Sequence, residues 1–261
     1  MYNVRIRFYE ELNDYIPAAM RKRDIDWAFP NRRSVKDLIE SFGVPHTEVD
    51  LVLVNGASVD FSYVINDGDR ISVYPVFETL AIDKVTRLRP RPLRCPRFVC
   101  DVHLGKLAKT LRLLGLDTVL GKGEDDRWLV ALAQQQERIL LTRDRRLLMN
   151  KNVTRGLCIR HTDVDHQVHQ VLDRFALRAA CSPFTRCIVC NGRLKQLTKD
   201  DPGFPEIQER VPARVLNWRD EFSVCCDCGK VYWRGSHYTK LARRVEHYLH
   251  VDQGLDKAPN D

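Results

Sequence analysis

"ILLTRDRRLL", residues 139–148, opens with four apolar residues and then sets Thr142, Arg143 and Asp144 together ahead of two more arginines. A continuous apolar run of Ile and Leu reads as a buried parallel strand, and the polar triplet marks where that strand leaves the core. In open α/β sheets the carboxyl ends of strands are where sites are built. Asp144 therefore has two readings: a cap for the helix that "RRLLMN" begins, or a site carboxylate.

The neighbouring sequence repeats the pattern. From Phe98 the chain alternates "FVCD", "LGKLAKTLRLLG", "DTVLG", "DDRWLVALAQQQ", "ILLTRD", "GLCI" and "DHQVHQVLDRF". A βαβ series of this kind predicts a parallel sheet covered by helices, with right-handed crossovers. Asp101 ends the first of these strands and Asp144 the third, so both acids fall at one sheet edge, while Asp126 stands at the start of the second helix. Carboxylates gathered at one place repel unless a cation holds them. Hard divalent ions such as Mg2+ or Mn2+ take oxygen ligands, polarise a phosphate and activate water. Each acid also has a purely structural reading, as a strand-end turn residue or a helix cap. Lys106, Lys109 and Arg112, three residues apart, are expected along one side of the first helix as a phosphate-binding stripe or a solvated face. Arg143 can orient Asp144 or meet the same substrate.

Towards the N-terminus "VRIRFY" alternates like a half-buried strand, and "DIDWAF" offers a second. Ser34 and Asp37 stand at capping-box distance ahead of "VKDLIESF", Gly43 stops that helix, and "LVLVNG" and "NDGDRISVYP" supply two strands with their turns. The order ββαββ resembles the ubiquitin-like β-grasp fold, and "VNG" with "DGDRISVYP" is similar to the sulfur-carrier proteins of thiamin and molybdopterin synthesis. Those carriers end in a free Gly-Gly tail, whereas here "VYPVFETLAI" runs on, which argues against a carrier role and for a docking surface. The segment "VTRLRPRPLRCPR" holds three Xaa-Pro steps and five arginines without an acid, and reads as a basic linker.

Nine cysteines without an export signal argue for metal binding or buried thiols rather than a disulfide framework. Cys187 and Cys190 form "CIVC", Cys225 and Cys228 form "CCDC", and the spacing suits a zinc ribbon in which two knuckles complete a tetrahedral thiolate site. Cys226 reads as an adjacent non-ligand, and Cys95, Cys100, Cys158 and Cys181 as small apolar fillers. After the second knuckle, "GKVYWRGSHYTKLARR" mixes aromatic and basic residues. Tyr232 and Trp233 are candidates for base stacking, Lys230 and Arg234 for phosphates, and His237 for a nucleic-acid contact or a structural role.

Taken together, "CDVHLGKLAKTLRLLGLDT", "DDRWLVALA" and "RILLTRDRRLL" with a cysteine-paired tail resemble the Mut-seven C-terminal RNase domain, a branch of the PIN-like nucleases. The resemblance runs over about residues 97–248, and the ubiquitin-like segment in front matches the layout of two-domain bacterial members. It implies a metal-dependent ribonuclease with acids at Asp101, Asp126 and Asp144. The resemblance implies Asp126 rather than Asp125, because Asp126 stands seven residues before Ala133, as in the family's acid-to-alanine spacing. PIN nucleases often carry a fourth acid shortly after the third, and Arg145 and Arg146 take that place here.

The expected architecture is α+β and α/β: a β-grasp domain over 1–80, a linker over 81–97, a PIN-like parallel sheet with flanking helices over 98–178, a zinc ribbon over 179–250 and a flexible tail over 251–261. The formal charge of +7 is unevenly spread: residues 1–84 carry 14 acidic against 10 basic residues, and each later segment is net basic, which suits a polyanionic partner. No apolar run approaches the roughly 18 residues of a membrane span, and the start lacks an apolar signal-peptide core, so a cytoplasmic protein is expected. The expected function is hydrolysis of RNA with structural zinc and catalytic Mg2+ or Mn2+, and with a protein partner at the ubiquitin-like domain. The alternative is a non-catalytic RNA- or ribosome-associated binding protein.

Overall fold

A computed structural model describes residues 1–75, Leu88, 96–123 and 125–250. Most of the expected linker, with Cys95, and the expected tail over 251–261 lie outside the described residues. Internal contacts divide the chain into two compact units, Met1–His103 with Gly121–Arg160, and Leu104–Leu120 with His161–Asp261.

The first unit begins with β1 (Tyr2–Phe8), whose alternation buries Val4, Ile6 and Phe8. It pairs antiparallel with β2 (Ile25–Phe29) from Tyr2↔Phe29 to Ile6↔Ile25. Ahead of α1 (Val35–Ser41), the Ser34 hydroxyl accepts from the Asp37 N–H at 3.1 Å and the Asp37 carboxylate accepts from the Ser34 N–H at 3.4 Å. This is the capping box that the spacing predicts. After α1 the chain turns through Gly43 at φ +86°, the left-handed position where glycine costs least. Strand β3 (Val49–Val54) turns at Asn55-Gly56, both at positive φ, into the short β4 (Ala57–Val59). In sequence β4 shows only as the turn that precedes it, because "ASV" is too short to show a period. Strand β5 (Arg70–Pro75) lies parallel to β1 and antiparallel to β3, giving the order β2-β1-β5-β3-β4 of a β-grasp.

The same unit holds β6 (Phe98–Cys100). Next in the chain come α2 (Gly105–Leu113) and β7 (Thr118–Leu120) of the second unit. The first unit resumes with α3 (Asp126–Gln135), β8 (Ile139–Thr142), α4 (Arg145–Leu148) and β9 (Gly156–Cys158). β8 pairs parallel with β6 on one side and β9 on the other, and every residue of the three strands is buried. That is why these strands read as unbroken apolar runs rather than alternating ones.

In the second unit α2 is followed by Gly115 at φ +85°, where an added Cβ would lie 2.0 Å from the Ser182 carbonyl oxygen. Only glycine permits that approach. α5 (Val164–Arg174) packs against α2, with Val168, Val171 and Leu172 fully buried. Beyond it an antiparallel sheet forms from β10 (Leu194–Thr198), β11 (Glu221–Cys225) and β12 (Val231–Trp233). Two short helices, α6 (Pro205–Gln208) and α7 (Ala213–Leu216), cover it, so that Leu197, Phe204, Ile207, Val211, Val215 and Phe222 make a small core. The last helix, α8 (Ser236–Leu249), is tied to α5: the Tyr248 hydroxyl donates to Asp165, and Arg244 pairs with the same carboxylate at 2.7 Å.

Candidate functional site

The first candidate lies where β6 and β8 end. Asp101 directly follows β6, its N–H still bonded to Leu141 in the ladder at 3.1 Å, and its side chain is nearly buried at 8% exposure. One carboxylate oxygen accepts from the His103 N–H at 2.7 Å and the other from the Thr142 hydroxyl at 2.8 Å. The Thr142 oxygen in turn accepts from the Asp144 N–H at 3.0 Å. One fully buried hydroxyl therefore links the two strand-end acids. The T-x-D spacing is the sequence signal for this role of Thr142, since it places the hydroxyl beside the next turn's N–H.

Asp144 is exposed, and one of its oxygens accepts from the Arg146 N–H at 2.7 Å as the N-cap of α4. The capping reading is thus realised, and the other carboxylate oxygen makes no capping bond. At α3 it is Asp125 that caps, accepting from the Trp128 N–H at 2.9 Å, whereas Asp126 is the first helical residue and exposed. Asp126 is free of the capping duty that the sequence left open to it. Among the described residues Asp101, Asp126 and Asp144 do not converge into one group of metal-ligating atoms. Their donors are nevertheless the hard oxygens that a divalent ion takes, and a carboxylate accepting two hydrogen bonds keeps further lone pairs. Arg143 is exposed beside them.

The second candidate does converge. The Sγ atoms of Cys187, Cys190, Cys225 and Cys228 all lie within 4.8 Å of one another, with Cys187–Cys228 at 3.7 Å and Cys190–Cys225 at 3.3 Å. Backbone N–H groups of Gly192 and Cys228 point at Cys190 and Cys225 sulfurs at 3.4 and 3.5 Å. An added Cβ on Gly192 would lie 2.7 Å from the Cys225 sulfur, so that knuckle position needs glycine. Burial opposes ionisation of Cys187, but hydrogen bonds from the Tyr232 hydroxyl at 3.1 Å and from backbone N–H groups win and bring its thiol down to about 6. Burial pushes Cys190 up to about 12. Four such sulfurs can bind zinc as a closed structural site. Cys226 is exposed and outside the cluster.

The cysteine site also corrects the basic stripe. Lys106 and Lys109 are exposed on α2, but Arg112 is buried at 5%. Its guanidinium donates to the carbonyls of Thr118 at 2.8 Å, Ile188 at 3.1 Å and Val189 at 2.9 Å. At about 100° per residue, six residues turn a helix to roughly 120° from the start, so Arg112 cannot share the face of Lys106. It holds the first knuckle instead, beside Asn191, which accepts from the Thr118 N–H and donates to Asp117. Around the ribbon Lys230, Arg234 and His237 are exposed. Trp233 is half-buried against the ribbon core, and the Tyr232 hydroxyl is committed to Cys187.

A parallel sheet with linked acids at its carboxyl edge, a four-cysteine ribbon and a β-grasp segment is the layout of a two-domain RNase class. The family model described as Mut7-C RNAse domain matches residues 96–245, and the one described as Mut7-C ubiquitin matches residues 1–81. The chain belongs to the Mut7-C RNase domain family and carries that family's ubiquitin-like domain. It is 37% identical over 106 residues to the human protein named exonuclease mut-7 homolog, a match that takes in 38% of this chain and 12% of that protein. Among the described residues no helix is long and apolar enough to cross a membrane.

Proposed function

We propose that the protein is a metal-dependent ribonuclease whose reacting centre is the carboxyl edge of β6 and β8. The observation that carries this reading is the Asp101–Thr142–Asp144 link. It fixes the Asp101 carboxylate and the Asp144 backbone at adjacent strand ends within a domain of an RNase family. Asp101, Asp144 and Asp126 would hold a divalent ion such as Mg2+ or Mn2+, which supplies phosphate polarisation and a water of lowered pKa when bound. The chain's own contribution is orientation. Thr142 keeps the Asp101 carboxylate pointing along the edge, and the α4 cap fixes one Asp144 oxygen while the other remains for the site. We assign Arg143 to a substrate phosphate. In the second unit, Lys106 and Lys109 on α2, and Lys230, Arg234, His237 and the half-buried Trp233 around the ribbon, are assigned to RNA.

A second reading, a non-catalytic RNA-binding protein, is favoured by two observations: among the described residues the three acids do not converge, and Arg145 and Arg146 stand where PIN nucleases often carry a fourth acid. Cleavage of a mixed RNA pool by wild type and Asp101→Asn, with Mn2+, Mg2+ or EDTA and with zinc content measured in each arm, separates the two. The nuclease reading expects cleavage that needs added metal and falls at least about 100-fold in the variant, or about 2.7 kcal/mol of barrier. Binding without cleavage in every arm favours the second reading. The exonuclease named in the human relative makes end-directed cleavage the first polarity to test.

A further inference from the structure

The ubiquitin-like domain is docked on the nuclease sheet within one compact unit. β9 ends the sheet order, and its outward N–H at Cys158 donates to the buried Glu48 carboxylate of the N-terminal domain at 2.7 Å. His46, held by Glu40 at 2.7 Å, reaches the Val153 carbonyl at 2.8 Å. The β9 edge thus donates to Glu48, and the chain leading into β9 is held by His46, both from a segment more than a hundred residues upstream.

The same contact extends to the carboxyl end of the sheet. Tyr15, 5% exposed, presents its ring to two guanidinium groups, Arg145 at 4.9 Å and Arg160 at 5.9 Å. Arg160 also pairs with Asp14. Arg145 directly follows Asp144, and Arg160 follows β9 by two residues, so both belong to the edge that carries Asp101 and Asp144. Arg145 is exposed, and its guanidinium lies over the Tyr15 ring. A guanidinium over an aromatic face is oriented and partly desolvated while its N–H groups stay available, which is how arginine presents itself to phosphate.

We infer that Tyr15 of the ubiquitin-like domain is a positioning residue that holds Arg145 to bind an RNA phosphate beside the carboxylate edge. The N-terminal domain then builds one wall of the substrate site of its own chain, with Asp14 holding Arg160 next to it. The inference rests on the proposed RNA substrate, not on cleavage. The test is equilibrium binding of a short fluorescein-labelled single-stranded RNA to the full chain, without added Mg2+ or Mn2+, across a salt series. Arg145→Ala and Tyr15→Leu each should weaken binding about fivefold and lower the salt slope by about 0.7. Tyr15→Phe, which keeps the ring, should retain the affinity. The double variant Tyr15→Leu/Arg145→Ala should be no weaker than Arg145→Ala alone. Thermal melting and zinc content on each preparation report folding. Full additivity in the double variant, or an Arg145→Ala protein with unchanged affinity and slope, overturns the inference. A wild type that binds with the expected pattern but cleaves nothing in Mn2+ leaves the inference standing and removes only the nuclease reading.

Discussion

The four cysteines and the three aspartates are both candidate metal sites, yet the fold treats them oppositely. The sulfurs lie within 4.8 Å of one another, braced by backbone N–H groups, by Tyr232 and by Arg112 behind the first knuckle. The acids are linked only in part, with Thr142 between Asp101 and Asp144 and with Asp126 outside any converged group. Structural zinc sites are closed and gathered by the fold, whereas catalytic sites leave positions open for substrate and water. The physical cause is charge. Carboxylates forced together without a cation repel, while neighbouring thiols can share protons, as Cys187 and Cys190, displaced in opposite directions, illustrate.

The largest effect that tests this contrast is loss of a cysteine. Cys190→Ser should drop zinc from one equivalent to a small fraction and unfold the ribbon, since zinc supplies roughly 10–16 kcal/mol in small isolated sites. Metal analysis with circular dichroism checks it, and full zinc retention would show that the site is not a four-sulfur one. Next, Arg112→Met should cost about 3 kcal/mol by leaving three carbonyls without their donor, with RNA affinity per folded molecule unchanged. Denaturant melts beside binding titrations decide between this role and a phosphate contact. Thr142→Val should cost about 1–3 kcal/mol, because it strips a donor from a nearly buried carboxylate. It should also slow cleavage by more than that destabilisation explains, a difference read by rates corrected for folded fraction. The smallest effect is expected at Lys106→Ala, an exposed site on α2, with stability within about 0.5 kcal/mol of wild type and RNA affinity down a fewfold at low salt.

Features that depend on neighbours in the chain were readable from residues alone. The Ser34/Asp37 box, the Asn55-Gly56 turn, the apolar runs of β6 and β8 and the paired C-x-x-C spacing each contain their own cause within a few residues. The acids at strand ends were legible for the same reason, since a strand that leaves a buried sheet must become polar there. What was not legible depended on helix phase or on distant partners. Arg112 was misplaced because three-residue steps drift around a helix, and which of Asp125 and Asp126 caps α3 is a matter of one residue of backbone geometry. The docking of Glu48 on β9, of His46 on Val153 and of Tyr15 on Arg145 of α4 involves segments more than a hundred residues apart, and no local pattern encodes it.

The central claim is that the edge holding Asp101 and Asp144 is a reacting centre and not merely a set of caps. Asp144→Asn is the direct probe, because asparagine keeps the side chain's shape and its acceptor for the Arg146 N–H while removing the negative charge that a hard cation needs. RNA cleavage and thermal melting should be measured on one preparation. The account predicts a stability loss of at most about 1 kcal/mol with cleavage per folded molecule down about tenfold or more. A lowered melting temperature with cleavage per folded molecule unchanged would reduce Asp144 to a helix cap and contradict the account.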